Sequence, residues 1–218
     1  MTIHSLLRLA EHKALSAVSL TGKVLDLGGE KRSAYTSYLG GNFEVTVLNI
    51  SPAAGPDVIH DLETPLPVTN NAYEGALLIN VLEHVDNYQQ LLSEAVRVLK
   101  PGGTLVVVVP FLFPVHPSPK DFRRFTEEAL RTECSRLSLG NIQIETLGSG
   151  VFAAQYLLLD RLMPAPVRTL CYFSVRYLVA LFDAVFMHLA RLFGKKYDPA
   201  HYALGYCLTA KKLPYEKN

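Results

Sequence analysis

Val24-Leu25-Asp26-Leu27-Gly28-Gly29 is a short apolar strand running into a glycine turn, and the order of elements around it decides the fold class. Two adjacent glycines remove the side chains that would hold a ligand away from the backbone, although such a turn also occurs where nothing binds. Upstream, residues 3–18 have the apolar spacing of an amphipathic helix, and Thr21-Gly22 punctuates the chain before a strand over 23–27. Downstream, residues 31–40 are expected to form a helix stopped by Gly40-Gly41, and residues 44–50 read as a second, β-branched strand. A third strand is read at 57–60 and a fourth at 74–80, where a continuous apolar run suits a sheet covered on both faces. Leu91, Leu92, Ala95, Val96 and Leu99 fall at helical spacing within 87–99, and Lys100-Pro101-Gly102-Gly103 then turns the chain into a fifth strand over 104–109. Thr126 is read as the N-cap of a helix reaching residue 137, with Glu128 in its first turn. Residues 142–147 and 202–210 are the last two strands, and an apolar helical region, 151–196, broken at Pro164 and Pro166, lies between them. Strands alternating with helices predict a doubly wound α/β fold with a mostly parallel sheet and right-handed crossovers.

A chain of 218 residues, 49% of them hydrophobic, suits one large domain: an N-terminal helix (1–20), a core (22–148), a helical insertion (151–196) and a last strand (201–211). Lys and Arg total 21 against 20 Asp and Glu, a net charge of +1 with no long basic block, so no nucleic-acid partner is expected. Cys134, Cys171 and Cys207 are odd in number and lack metal or redox spacing, which reads as free thiols in a reducing compartment. Arg8, Glu11, His12 and Lys13 interrupt any secretory h-region, and a cytoplasmic protein is expected. In the apolar stretch 169–193, Arg176, Asp183, His188 and Arg191 fall within one arc of roughly 140° at about 100° per residue, the pattern of an amphipathic helix that does not span a bilayer. Its surplus apolar surface is read as a lid or homodimer face, with peripheral contact at the inner membrane face as the alternative.

In an open α/β sheet, ligands bind beyond the carboxyl ends of the strands, where the winding reverses, and the polar candidates fall there. Asn49, after the second strand, has an amide able to bond ribose hydroxyls; Asp61, after the third, can accept from an adenine amino group. The runs VLDLGG (24–29), LNIS (48–51), HDLETPLP (60–67), YEGALLINVLEHV (73–85) and EAVRVLKPGGTLVVVVPF (94–111), in that order, resemble the class I S-adenosylmethionine-dependent methyltransferases, specifically the type-11 subgroup. The resemblance covers about residues 22–137 and implies a Rossmann-like, seven-stranded sheet whose last strand is antiparallel, with S-adenosyl-L-methionine as cofactor. By position it implies that Asp26, Gly28 and Gly29 approach the methionine part, Asn49 the ribose, Asp61 and Leu62 the adenine, and Asn80 the sulfonium region, with Ile50 in the same set. Two positions depart from the pattern: Glu30 replaces the usual second loop glycine, and Asn49 replaces an acid. A neutral amide gives up a charge-assisted bond, about twice as strong as a neutral one, so weaker cofactor affinity is expected.

The loop after the fifth strand, residues 110–126, is dense in aromatics, prolines and titratable groups. If the acceptor is a hydroxyl, His116 is the first candidate base, oriented by Asp121; His84 and Glu83 come second, with a helix-start role as their alternative. Arg123 and Arg124 either grip an anionic substrate group or pair with local carboxylates. No metal ligand set is read. The expected activity is methyl transfer to a small-molecule, glycan or lipid-linked acceptor, with two rivals. One is a non-catalytic or weakly binding relative acting as a partner subunit, and the other is a dinucleotide-dependent oxidoreductase, disfavoured because the turn lacks the full Gly-x-Gly-x-x-Gly spacing.

Overall fold

The computed structural model describes residues 5–160, 162–196 and 198–214, with the side chains of residues 160 and 165–176 outside that description. The elements are α1 (Leu6–Leu15), β1 (Ser19–Leu27), β2 (Gly40–Asn49), β3 (Val58–Ile59), β4 (Tyr73–Ile79), α2 (Tyr88–Val98), β5 (Leu99–Pro110), α3 (Glu127–Ser135), β6 (Leu139–Leu147), α4 (Val151–Asp160), α5 (Ala165–Leu192) and β7 (Gly205–Lys212), with short 3₁₀ turns between. The sheet has seven strands in the order β3-β2-β1-β4-β5-β7-β6. β1 to β5 pair in parallel, and β7 runs antiparallel to both β5 and β6. This is the Rossmann-like methyltransferase topology that the motif order implied.

Strand composition and burial agree residue by residue. Leu25 and Leu27 of β1 pack with Leu105, Val107 and Val109 of β5 on the face covered by α2 and α3. Val24, Val106 and Val108 point to the opposite face, where Leu7 and Leu15 of α1 and Leu157 of α4 cover them. This period of two gives the central strands β1, β4 and β5 two buried sides over their carboxyl halves, which is why the run at 106–109 has no polar residue. Thr126 caps α3 by accepting from the Ala129 amide at 3.2 Å.

Three expectations change. Residues 31–40 form no α-helix; only a 3₁₀ turn over Ala34–Tyr38 is present. The register pairs Ser19 with Gly40 and Leu27 with Leu48, so the segment after Leu27 must return along the whole length of β1. Eight strand steps cover about 26 Å, whereas a helix over all thirteen steps from Leu27 to Gly40 would rise only about 20 Å, and the crossover instead combines turns, the 3₁₀ helix and short extended stretches. Second, Gly40-Gly41 is no stop signal but the start of β2, where a Cβ on Gly41 would lie 2.0 Å from the Leu20 carbonyl oxygen. Third, Pro166 does not break a helix. It sits in the first turn of α5, where its missing N–H is tolerated, and the break is at Pro164 alone.

The helical region also turns a different face to solvent. Val179, Asp183 and Met187, spaced by four, form the inward stripe of α5, while Leu181, Phe182, Val185 and Leu189 are each about half exposed. Asp183, one of the four residues of the polar arc, accepts from the Phe152 and Ala153 amides at 3.0 and 3.1 Å and so caps the N-terminus of α4 across the helix pair. Gly150, before that helix, has no side chain to do so, and a Cβ there would meet the Asp183 carboxylate at 2.4 Å. Cys171 and Arg176 have side chains outside the described residues. No helix among the described residues is long and apolar enough to cross a membrane. Removing the cap by Asp183→Ala should lower stability by about 1–2 kcal/mol, read as a lower denaturant midpoint with an unchanged slope.

Candidate active site

The carboxyl ends of β1, β2, β3 and β4 bring residues 28–30, 49–51, 61–63 and 80–85 to one edge, on either side of the point where the strand order reverses. Two cavities open there. One, of ≈ 770 Å³, is lined by Gly28, Asn49, Ile50, Asp61, Leu62 and Asn80 among others. The second, of ≈ 510 Å³, continues past Gly29 and Asn80 to Arg8, Tyr35, Phe113 and His116. Glu30, Asn80 and His84 border both, so the two are lobes of one crevice. Glu30 is exposed at the mouth, where it does not close the crevice.

The turn at its centre is held from three sides. Gly28 has φ +84, a left-handed conformation, and a Cβ there would lie 2.7 Å from Val81. A Cβ on Gly29 would lie 2.0 Å from the Asp26 carboxylate and 2.5 Å from the Tyr35 hydroxyl. Asn49 donates its amide to the Gly28 and Gly29 carbonyls at 3.0 and 2.9 Å and accepts from the Ser51 amide at 2.9 Å. Both amide hydrogens are thereby engaged by the turn, which leaves one acceptor lone pair for a ligand. Here the departure from an acid has a structural reason, since a carboxylate could not donate to two carbonyls.

Asp26 lies beneath the turn, fully buried, and does not line the crevice itself. One oxygen accepts from the Tyr35 hydroxyl at 2.5 Å and the other has no hydrogen-bond partner. Burial pushes its carboxyl up to about 7, only partly offset by the Tyr35 hydrogen bond. Asp61 accepts from the Glu63 amide at 3.0 Å, holding the loop after β3. Asn80 has φ +55 and donates to Glu11 of α1 at 3.0 Å. Glu11, in turn, is paired with Arg8 at 2.9 Å. Thus α1 packs against the crevice and brings Arg8 to its wall, a contribution that the pattern of α1 alone did not signal.

On the acceptor side the structure brings His84 and His116 together, their rings edge to face with centroids 4.9 Å apart. His84 Nδ1 lies 2.6 Å from the Lys120 carbonyl and His116 Nδ1 lies 3.1 Å from the Pro114 carbonyl. Burial lowers the basicity of His116. Asp121 accepts from the His116 main-chain amide at 2.8 Å and lies 3.4 Å from its Nδ1. It is gripped bidentately by Arg124 at 2.5 and 2.8 Å, which holds its carboxyl well below the usual range. Arg123 donates to the Val85 and Asp86 carbonyls at 2.5 and 3.0 Å. Both arginines are therefore local braces, the second of the two readings given for them. Glu83 sits between the imidazoles, fully buried, with its Oε1 3.7 Å from His84 Nε2 and 3.8 Å from His116 Nε2. Sequence spacing gave no sign of this trio, because His116 is 32 residues downstream of His84.

Residues 25–107 match the family model described as a methyltransferase domain. No curated protein matches the sequence. The fold is shared with the 4+2 cyclase SpnF, at 19% identity over 95% of this chain and 81% of that one, TM-score 0.57. It is shared with a possible histamine N-methyltransferase from Thermotoga maritima, at 16% identity over 95% and 91%, TM-score 0.56. A Burkholderia thailandensis 1,6-didemethyltoxoflavin-N1-methyltransferase, solved with bound 1,6-didemethyltoxoflavin and S-adenosylhomocysteine, aligns at 17% identity over 96% and 79%, TM-score 0.54.

The raised carboxyl of Asp26 links stability to pH. Because the folded chain holds that proton more tightly than the unfolded chain, the associated stability is fully present below pH ~4 and is lost as pH rises through about 7. Asp26→Asn should remove this dependence. Melting temperatures of the two proteins should diverge in favour of the variant as pH increases across that window, and parallel profiles would contradict the assignment.

Proposed function

We propose that this chain, whose residues 25–107 match the methyltransferase-domain model, is a class I methyltransferase of type 11 that transfers a methyl group from S-adenosylmethionine to a small-molecule, glycan or lipid-linked acceptor. The observation that carries the reading is the two-lobed crevice over the Gly28-Gly29 turn, bordered by Asn49, Asp61 and Asn80. The residues fit a nucleoside and an amino-acid moiety. The larger lobe offers Ile50 and Leu62 as apolar walls and Asp61 as an acceptor at the adenine end, and Gly28 and Gly29 border the smaller lobe where the methionine end would lie. When bound, S-adenosylmethionine supplies an electrophilic methyl carbon on a sulfonium.

The chain's own contribution is alignment and proton handling. The turn, clamped by Asn49, fixes one reactant; Phe113, His84 and His116 line the lobe where the other would lie. Holding two reactants in line can supply a large part of the acceleration for such a displacement. A hydroxyl acceptor must also lose its proton, and His116, positioned through its main chain by Asp121, is the proposed site of removal, with His84 beside it. The half-exposed apolar side of α5 supports an acceptor with an apolar tail. A second reading, weak cofactor binding with another role, is favoured by the engagement of the Asn49 amide.

Calorimetry separates the readings. S-adenosylmethionine and S-adenosylhomocysteine should bind with 1:1 stoichiometry and NAD should not, whereas binding of none of the three would overturn the methyl-transfer assignment. Once an acceptor is in hand, His116→Ala should lower turnover by about a hundredfold or more, the usual scale of general acid–base catalysis, with affinity for S-adenosylhomocysteine retained.

A further inference from the structure

We infer that Glu83, His84 and His116 form a binding site for a divalent transition-metal ion, with open coordination positions facing the crevice for an acceptor oxygen. One carboxylate oxygen and two imidazole nitrogens from these residues lie within 4.8 Å of one another. Three features beyond proximity support a cation there.

The first is the state of Glu83. Its side chain has no solvent exposure, and neither oxygen accepts a hydrogen bond of normal geometry. A buried carboxylate left in this way is costly unless it is neutralised or paired. The nearest arginine, Arg124, is engaged bidentately by Asp121 and makes no bond to Glu83.

The second is the orientation of the imidazoles. His84 Nδ1 faces a main-chain carbonyl, and His116 Nδ1 has the Pro114 carbonyl at 3.1 Å and the Asp121 carboxylate at 3.4 Å, both closer than the Arg124 Nη2 donor at 3.5 Å, so the acceptors favour the proton on each Nδ1. In the neutral rings both Nε2 atoms then hold lone pairs, and both lie near the same Glu83 oxygen. With Glu83 ionised, three acceptors converge with no donor among them, and a cation is what would keep the buried carboxylate in that form. Fixing the far nitrogen of a ligating histidine against a carbonyl is also the usual way that proteins orient metal ligands.

The third is position. His84 and His116 line the crevice, whereas Glu83 closes it from behind, so an ion held by all three would present its remaining positions to the space beside Asn80 and Phe113. Two imidazoles and one carboxylate suit zinc, iron(II), manganese or cobalt better than magnesium or calcium, which favour all-oxygen shells. Metal–ligand bonds of about 2.0–2.2 Å set tetrahedral ligand atoms about 3.3–3.6 Å apart, so the carboxylate–imidazole pairs at 3.7 and 3.8 Å would draw in by several tenths of an ångström and the widest pair by about an ångström or more. The proposal rests on the methyl-transfer reading only for its substrate. There, an acceptor oxygen bound to the ion would acidify and lose its proton to solvent, and His116 would serve as a ligand instead of as the direct base.

The test is a cobalt(II) titration of the full-length, tag-free, chelator-treated protein, followed by visible absorption and calorimetry. The expected result is one equivalent bound, displaced by zinc. Glu83→Gln and His116→Ala should each weaken binding by more than about a hundredfold, since even loss of a group supporting a ligand costs up to that much. His201→Ala, outside the trio, should leave binding unchanged. The Glu83→Gln change keeps the side-chain size, and melting curves verify that each variant is folded. Absence of stoichiometric binding to the wild type, or binding unaffected by both ligand variants, overturns the inference. S-adenosylhomocysteine binding is measured in parallel. Its retention without cobalt binding would leave His116 as the direct base, and cobalt binding without it would support the metal site while removing the methyl-transfer reading.

Discussion

The backbone turn at Gly28-Gly29 is the constraint on which the rest of the site depends. It is fixed from below by the Asp26–Tyr35 pair, from the side by Val81, and from β2 by the Asn49 amide. Parallel pairing of β1 with β2 and β4 sets the height at which these groups meet. A buried carboxylate with one unpartnered oxygen is destabilising by itself. Its retention at the base of the turn fits the general observation that strained or incompletely satisfied groups gather at functional sites.

Much of the fold was legible in the sequence because its signals are local. The valine run of β5, the cap at Thr126 and the strand-to-turn transition after Leu27 each follow from side chains within a few residues. The failures have one physical origin, in that tertiary geometry overrode a local preference. The crossover after β1 reads as helical because Lys31 to Leu39 contains nothing against it, yet a segment that must return along the whole of β1 folds as turns and one 3₁₀ helix. Gly40-Gly41 looked like a stop, but the demand at Gly41 comes from the neighbouring strand at Leu20. No one-dimensional pattern carries either fact.

The same distinction divides the site. Residues at strand ends were found because topology places them together, which is why Asn49, Asp61 and Asn80 border one crevice. Their detailed partners were not foreseeable: Asn49 faces carbonyls, and Asn80 is tied to Glu11 on a helix 69 residues earlier. Glu83 could be named as a candidate but not as a buried group between two imidazoles, since that depends on how the loop after β5 folds back over the turn following β4. Asp183 divides in the same way: its place on the polar arc of the helix was legible, and its partner, the end of another helix, was not.

The clamp at Asn49 also bears on how this sequence can change through time. A carboxylate at that position would face two carbonyl oxygens at the distances the amide now bridges as a donor. Placing there the acid that the resemblance implies is therefore not a single neutral step. The turn would have to re-form as well, so its present shape and the amide that holds it depend on each other.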